Sequence, residues 1–81
     1  MTNEIACYLQ DVEDANLQDK PIFISLLRRG RAITNLTLRD LAKIAGTAPG
    51  TISRWENGYS APPLVSRKAV IDFLYDLVQK I

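Results

Sequence analysis

The 81-residue chain holds ten lysines and arginines, nine aspartates and glutamates, one cysteine and no histidine, for a formal net charge of +1. That length predicts one small domain hiding about 60% of its unfolded surface, with no room for a separate sensing or catalytic unit. The composition excludes an internal disulfide, a zinc site and histidine-based catalysis, and no run approaches the roughly 18 apolar residues of a membrane span.

The start of the chain is polar and acidic, unlike a signal peptide, and a lone thiol at Cys7 fits a reducing cytoplasm. As an average, +1 speaks against a nucleic-acid binder, but the charge is unevenly placed. Residues 1–20 carry a net −4 and residues 21–81 a net +5. This divides the chain into an acidic N-terminal arm or helix, 1–20, and a basic body, 21–81. A basic stripe is the electrostatic footprint of a nucleic-acid binder, although solvated helix faces look the same.

Helical periodicity runs through the whole chain and no period-two alternation stands out, so the fold class is all-α, a compact bundle of four to five short helices. The first helix follows Thr2 or Asn3 as N-cap, shares Ile5, Tyr8, Leu9 and Val12 along one face, and ends near Asn16. The second opens at Pro21, where a missing N–H costs nothing, and buries Phe23, Leu26, Leu27 and Ile33. Gly30 lies within that stripe, where close approach of a neighbouring helix would explain it. Asn35 suits a left-handed C-terminal residue. Thr37 caps the third helix, with Asp40 as its acidic capping partner, and Gly46 stops it. Pro49 opens the fourth, which turns Ile52 and Trp55 inward and closes at Asn57-Gly58. After a loop with Pro62-Pro63, Ser66 caps a last helix to about Lys80. Its stripe of Val70, Phe73, Leu74, Leu77, Val78 and Ile81 is wider than one small core needs, so it serves either that core or a second subunit. Cys7 reads as a small packing residue, and Trp55 and Tyr75 as core or interface.

The helices 37–45 and 49–57, joined by a turn beginning at Gly46, form a helix-turn-helix pattern. Small Ala42 permits a close crossing, Leu41, Ile52 and Trp55 hold the angle, and the second helix stands proud enough to enter a major groove. The run Leu36-Thr37-Leu38-Arg39-Asp40-Leu41-Ala42, then Gly46, then Thr51-Ile52-Ser53-Arg54-Trp55-Glu56-Asn57-Gly58, resembles the Cro/phage-repressor (lambda-repressor-like, XRE-type) helix-turn-helix family. The resemblance covers about residues 22–75 and leaves residues 1–20 unmatched.

The resemblance implies a lambda-repressor-like fold and a transcriptional regulator, most often a repressor, binding double-stranded DNA as a homodimer on an inverted-repeat operator. It implies that Thr37, with nearby backbone N–H groups, meets a phosphate. Thr47, Ala48, Pro49, Gly50, Thr51, Ser53 and Arg54 then occupy the recognition surface. Asn57, Tyr59 and Ser60 match positions on the far side of the DNA backbone, and Arg31 and Glu56 a structural ion pair. The sequence departs from the family at the front of the recognition helix, where polar side chains are usual and Ala48-Pro49-Gly50 stands instead. Base reading then falls to Arg54, whose fork suits guanine, and to Thr47, Thr51 and Ser53. Alternatively Ala48 or Pro49 meets a thymine methyl while Gly50 lets the backbone approach. Arg28, Arg29 and Arg39 are either phosphate contacts or solvated charges.

Two other functional classes fit the residues less well. An antitoxin-like interaction module would dock a partner protein through residues 1–20, whose deletion should then spare DNA binding. An enzyme is disfavoured, because no nucleophile-and-base pair or phosphate loop has recognisable spacing. No cofactor, metal or small-molecule ligand is expected.

Overall fold

A computed structural model describes residues 3–81, and its five helices are α1 (Asn3–Asp14), α2 (Lys20–Thr34), α3 (Leu38–Ala45), α4 (Pro49–Glu56) and α5 (Leu64–Gln79). No strand occurs among the described residues, and the fold is all-α. Asn3 is already helical, and the alternative cap, Thr2, lies outside the described residues.

Local chemistry sets most helix ends. Pro21 sits in the first turn of α2, and Asn35 ends that helix in the left-handed region at φ 59°. The Leu36 amide donates to Arg31 O and the Asn35 amide to Ala32 O, so two of the last carbonyls of α2 are satisfied within the turn. At the start of α3, Thr37 Oγ1 accepts from the Asp40 amide at 3.0 Å, and the Asp40 carboxylate accepts from the Thr37 amide at 3.2 Å. This reciprocal box occupies two donors that a helix start otherwise leaves to water. The last helix differs from expectation. It begins at Leu64, with Pro63 and not Ser66 in the cap position. Pro63 has φ −57°, already suited to helix entry, and its carbonyl accepts from the Arg67 amide at 3.0 Å.

Packing centres on α2, which lies against α1, α4 and α5, while α3 lies against α4 and α5. Phe23, Leu26 and Leu27 meet Leu41, Ile52, Trp55, Ile71 and Leu74 in one core. Phe23 and Trp55 pack edge to face, with ring centroids 6.4 Å apart.

The acidic N-terminal segment is built into that core through α1. Tyr8 is fully buried, and its hydroxyl donates to Leu26 O on α2 at 3.0 Å. Gly30 makes this possible: a Cβ built there collides with the Tyr8 hydroxyl and stands 3.0 Å from Leu74 Cδ1. Burial raises the Tyr8 pKa well above that of a free phenol, partly offset by nearby Arg29, so the hydroxyl keeps its donor proton. Arg29 lies over the Tyr8 ring and pairs with Asp11 at 2.9 Å. Cys7, expected to pack, is exposed on α1, because the face turned inward there is that of Ile5, Tyr8, Leu9 and Val12.

The broad stripe of α5 does not form one free face. Val70, Leu74 and Val78, with Ile71, are buried against the chain's own core and are not open to a second subunit. The outward residues are Phe73 (36% exposed), half-buried Leu77, and Ile81 (66% exposed) beyond the helix end. The division arises because α5 uses one side to meet α1, α2 and α3 together.

Candidate nucleic-acid interface

The turn between α3 and α4 is made by Gly46 at φ 70°, after which the Thr47 amide donates back to Ala42 O at 2.9 Å. Buried Leu41 and Ala42 on α3 and Ile52 and Trp55 on α4 turn inward, which leaves the opposite side of α4 to solvent. Ala48, Pro49, Gly50, Arg54 and Asn57 are exposed there, and Thr47, Thr51 and Ser53 are half-buried. Beyond the helix, Tyr59 is 82% exposed and Ser60 is exposed as well. All the sequence-derived recognition residues thus lie on two consecutive segments around α4, with Thr37 at the entry to α3.

Their hydrogen-bonding capacity is unequal. The Asn57 amide donates to Ser53 O at 2.9 Å and reaches Ser53 Oγ at 3.4 Å, so both side chains are partly engaged by their own helix. Thr37 and Asp40 are engaged with each other. A phosphate at the α3 entry would therefore meet the remaining first-turn amides, Leu38 and Arg39, and the exposed Arg39 side chain, with the Asp40 carboxylate opposing it. The cap's backbone and hydroxyl hydrogen bonds hold the Asp40 pKa below the ordinary aspartate value, helped by Lys43 and Arg39. A carboxyl with a depressed folded pKa stabilises the fold fully above the unfolded value, near 4, and loses that contribution as pH falls through the lowered one. Thr37→Ala is expected to cost about 1 kcal/mol at neutral pH. The deficit should shrink as both proteins are titrated below pH 4, which urea melts at several pH values would follow; an equal deficit at pH 3 and pH 7 would exclude a cap that depends on the carboxylate.

Behind α4, Arg31 holds Glu56 through two bonds, Nε to Oε2 at 2.6 Å and Nη2 to Oε1 at 3.0 Å, and donates from Nη1 to Leu36 O at 3.1 Å. The Glu56 hydrogen bond is the main cause that raises the Arg31 pKa further, against the opposing effect of burial. Both carboxylate oxygens are thus neutralised from inside, which removes the one anionic side chain of α4 from the interface.

Not every basic residue of the body is available. Arg29 is paired with Asp11. Arg67 donates to Pro62 O at 2.8 Å, Leu17 O at 2.9 Å and Gln18 O at 3.2 Å, and lies over the Phe23 ring. It is a structural clamp between two loops, and no local motif announces it because Leu17 and Gln18 lie 50 and 49 residues away. Arg28, Arg39, Lys43, Arg54, Lys68 and Lys80 remain exposed. Among the described residues no cluster of carboxylate, thiol and imidazole groups could hold a metal, and no helix is long and apolar enough to cross a membrane.

A helix-turn-helix family model matches residues 27–66, from the second half of α2 through the first residues of α5. These residues form a helix-turn-helix domain of the lambda-repressor-like family. No curated protein matches the chain, and no solved structure does. The match supports a DNA-binding regulator of this type, with α3 and α4 as the two helices of the motif. The matched segment excludes α1, although α1 completes the core of this domain.

Proposed function

We propose that the protein is a sequence-specific, non-enzymatic transcriptional regulator of the cytoplasm, a repressor that occupies an inverted-repeat operator as a homodimer. The observation that carries this reading is the solvent face of α4. Arg54 stands there exposed, beside Thr51 and Ser53, while Glu56 is held from behind by Arg31. A cationic fork on a protruding helix, cleared of its neighbouring anion, is suited to a guanine edge. Thr47, Ala48, Pro49, Gly50, Asn57, Tyr59 and Ser60 complete the contact surface, and the start of α3 at Thr37 approaches a phosphate. For the dimer, the supporting surface is reduced to Phe73, Leu77 and Ile81. The interaction-module alternative is not favoured, because the apolar side of α1 that would dock a partner packs into the core instead.

Selection of bound sequences from a random duplex pool tests the reading. The expected product is an inverted repeat with half-sites about 34 Å apart, one turn of DNA; a single unrepeated half-site would remove the dimer. On the selected duplex, Arg54→Ala is expected to lose about 1–3 kcal/mol of binding while affinity for random DNA changes little. Equal weakening on both would assign Arg54 to the phosphate backbone. With a net charge of only +1, non-specific affinity should be modest and salt-sensitive.

A further inference from the structure

The four glycines do not have equal reasons to be glycine. Gly46 and Gly58 have positive φ, 70° and 78°, and Gly30 is closed in by Tyr8 and Leu74. Gly50 has neither reason. It lies in the first turn of α4 without a positive φ, and a Cβ built on it meets nothing within 4 Å. Inside a helix, glycine is the least favoured residue after proline, and alanine would fit the fold there with better propensity. The cost of Gly50 is therefore not repaid by anything within the chain.

Its neighbours share a second property. Ala48 makes no side-chain cap, Pro49 has no N–H, and both are exposed. The Thr51 and Ile52 amides turn back to Ala48 O, so two of the first-turn amides are taken up within the helix itself. Three consecutive exposed positions thus offer a flat apolar surface with no side chain longer than a proline ring. The polar groups of the helix, Thr51, Ser53 and Arg54, begin only behind it.

Building on the recognition role proposed above for α4, we infer that Ala48-Pro49-Gly50 is a methyl-reading platform. It seats against the 5-methyl groups of thymines in the major groove, and Gly50 lacks a side chain so that the helix backbone reaches the base edges. Thymine alone presents a methyl group there, so apolar contact discriminates it without a hydrogen bond. The recognition helix then reads in two chemistries, apolar contact from its front and hydrogen bonding from Arg54.

The full chain and the duplex selected from the random pool test this. Each thymine of the half-site is replaced in turn by deoxyuridine, which removes the methyl and leaves the pairing edge intact. Loss of about fourfold in affinity is expected at one or more thymines, the value of one buried methyl-sized group. Gly50→Ala should melt about 4 °C higher, from helix propensity, yet bind the selected duplex about tenfold more weakly, the scale of one mismatched base pair. Its affinity for random duplex should stay unchanged. The inference is overturned if no deoxyuridine substitution matters, or if Gly50→Ala binds as the parent does or weakens on both duplexes alike. A pool that yields no enriched sequence would instead remove the sequence-specific reading itself, and this inference with it.

Discussion

A chain lacking residues 1–14 is expected to lose its cooperative fold, not merely an acidic appendage. Tyr8 is fully buried between α2 and α5, bonded to Leu26 O and seated over Gly30. Removing a buried aromatic side chain typically costs about 3–5 kcal/mol. The same deletion strips Ile5, Leu9 and Val12 from the core edge and takes Asp11 from Arg29. A domain of this size has a total stability of only roughly 4–12 kcal/mol, so the loss is comparable to the whole. The expected record is a chain without a sharp thermal transition and with collapsed amide dispersion in its NMR spectrum. A truncated protein melting cooperatively near the parent temperature would show that α1 is dispensable. The expectation that residues 1–20 could be deleted without affecting DNA binding therefore changes: operator binding should disappear along with the fold.

Glu56→Ala is expected to destabilise the domain by about 2–3 kcal/mol, between the value of an exposed ion pair and that of a buried one. The Arg31 and Glu56 side chains are 29% and 11% exposed, and the pair is bidentate, which places it nearer the buried case. Without Glu56 the guanidinium keeps only Leu36 O as partner and remains partly desolvated. Combining Glu56→Leu with Arg31→Met should cost less than the two single changes added together, since neither charge is then left alone. Urea unfolding of the three variants measures this, and strict additivity would count against a coupled pair. The single variant carries a second consequence. Arg31 joins α2 to the end of α4, so its release should loosen the recognition helix and lower operator affinity even in the fraction that stays folded.

Much of the motif was legible because its determinants are local. Asn35, the Thr37–Asp40 box, Gly46 and Pro49 act on neighbours within three or four residues, and the helix ends fall beside them. The cap lies at Pro63 and not at Ser66 for a related reason. Serine has the right chemistry for a cap, but the fixed φ of Pro63 already admits the helix three residues earlier. The candidate recognition residues were readable as a group because a glycine turn and the inward positions Ile52 and Trp55 settle which side of α4 faces out. Which of them still have free hydrogen-bonding groups was not readable, since Asn57 and Thr37 are engaged by partners chosen only in the folded geometry.

The charge division with −4 in residues 1–20 and +5 in residues 21–81 is a property of the sequence, as are the all-helical pattern and the helix-turn-helix itself. Only the tertiary structure decides what that division means. Asp11 is drawn onto Arg29 and Tyr8 into the gap at Gly30, so the acidic segment is part of the body it seemed to oppose. Arg67 is taken from the pool of basic residues to clamp three carbonyls, and half of the α5 stripe goes to the chain's own core. Periodicity and capping depend on the few residues of one helical turn, which the sequence displays directly. The pairing of Tyr8 with Gly30 or Arg67 with Leu17 depends on how whole helices cross, and no local spacing encodes that.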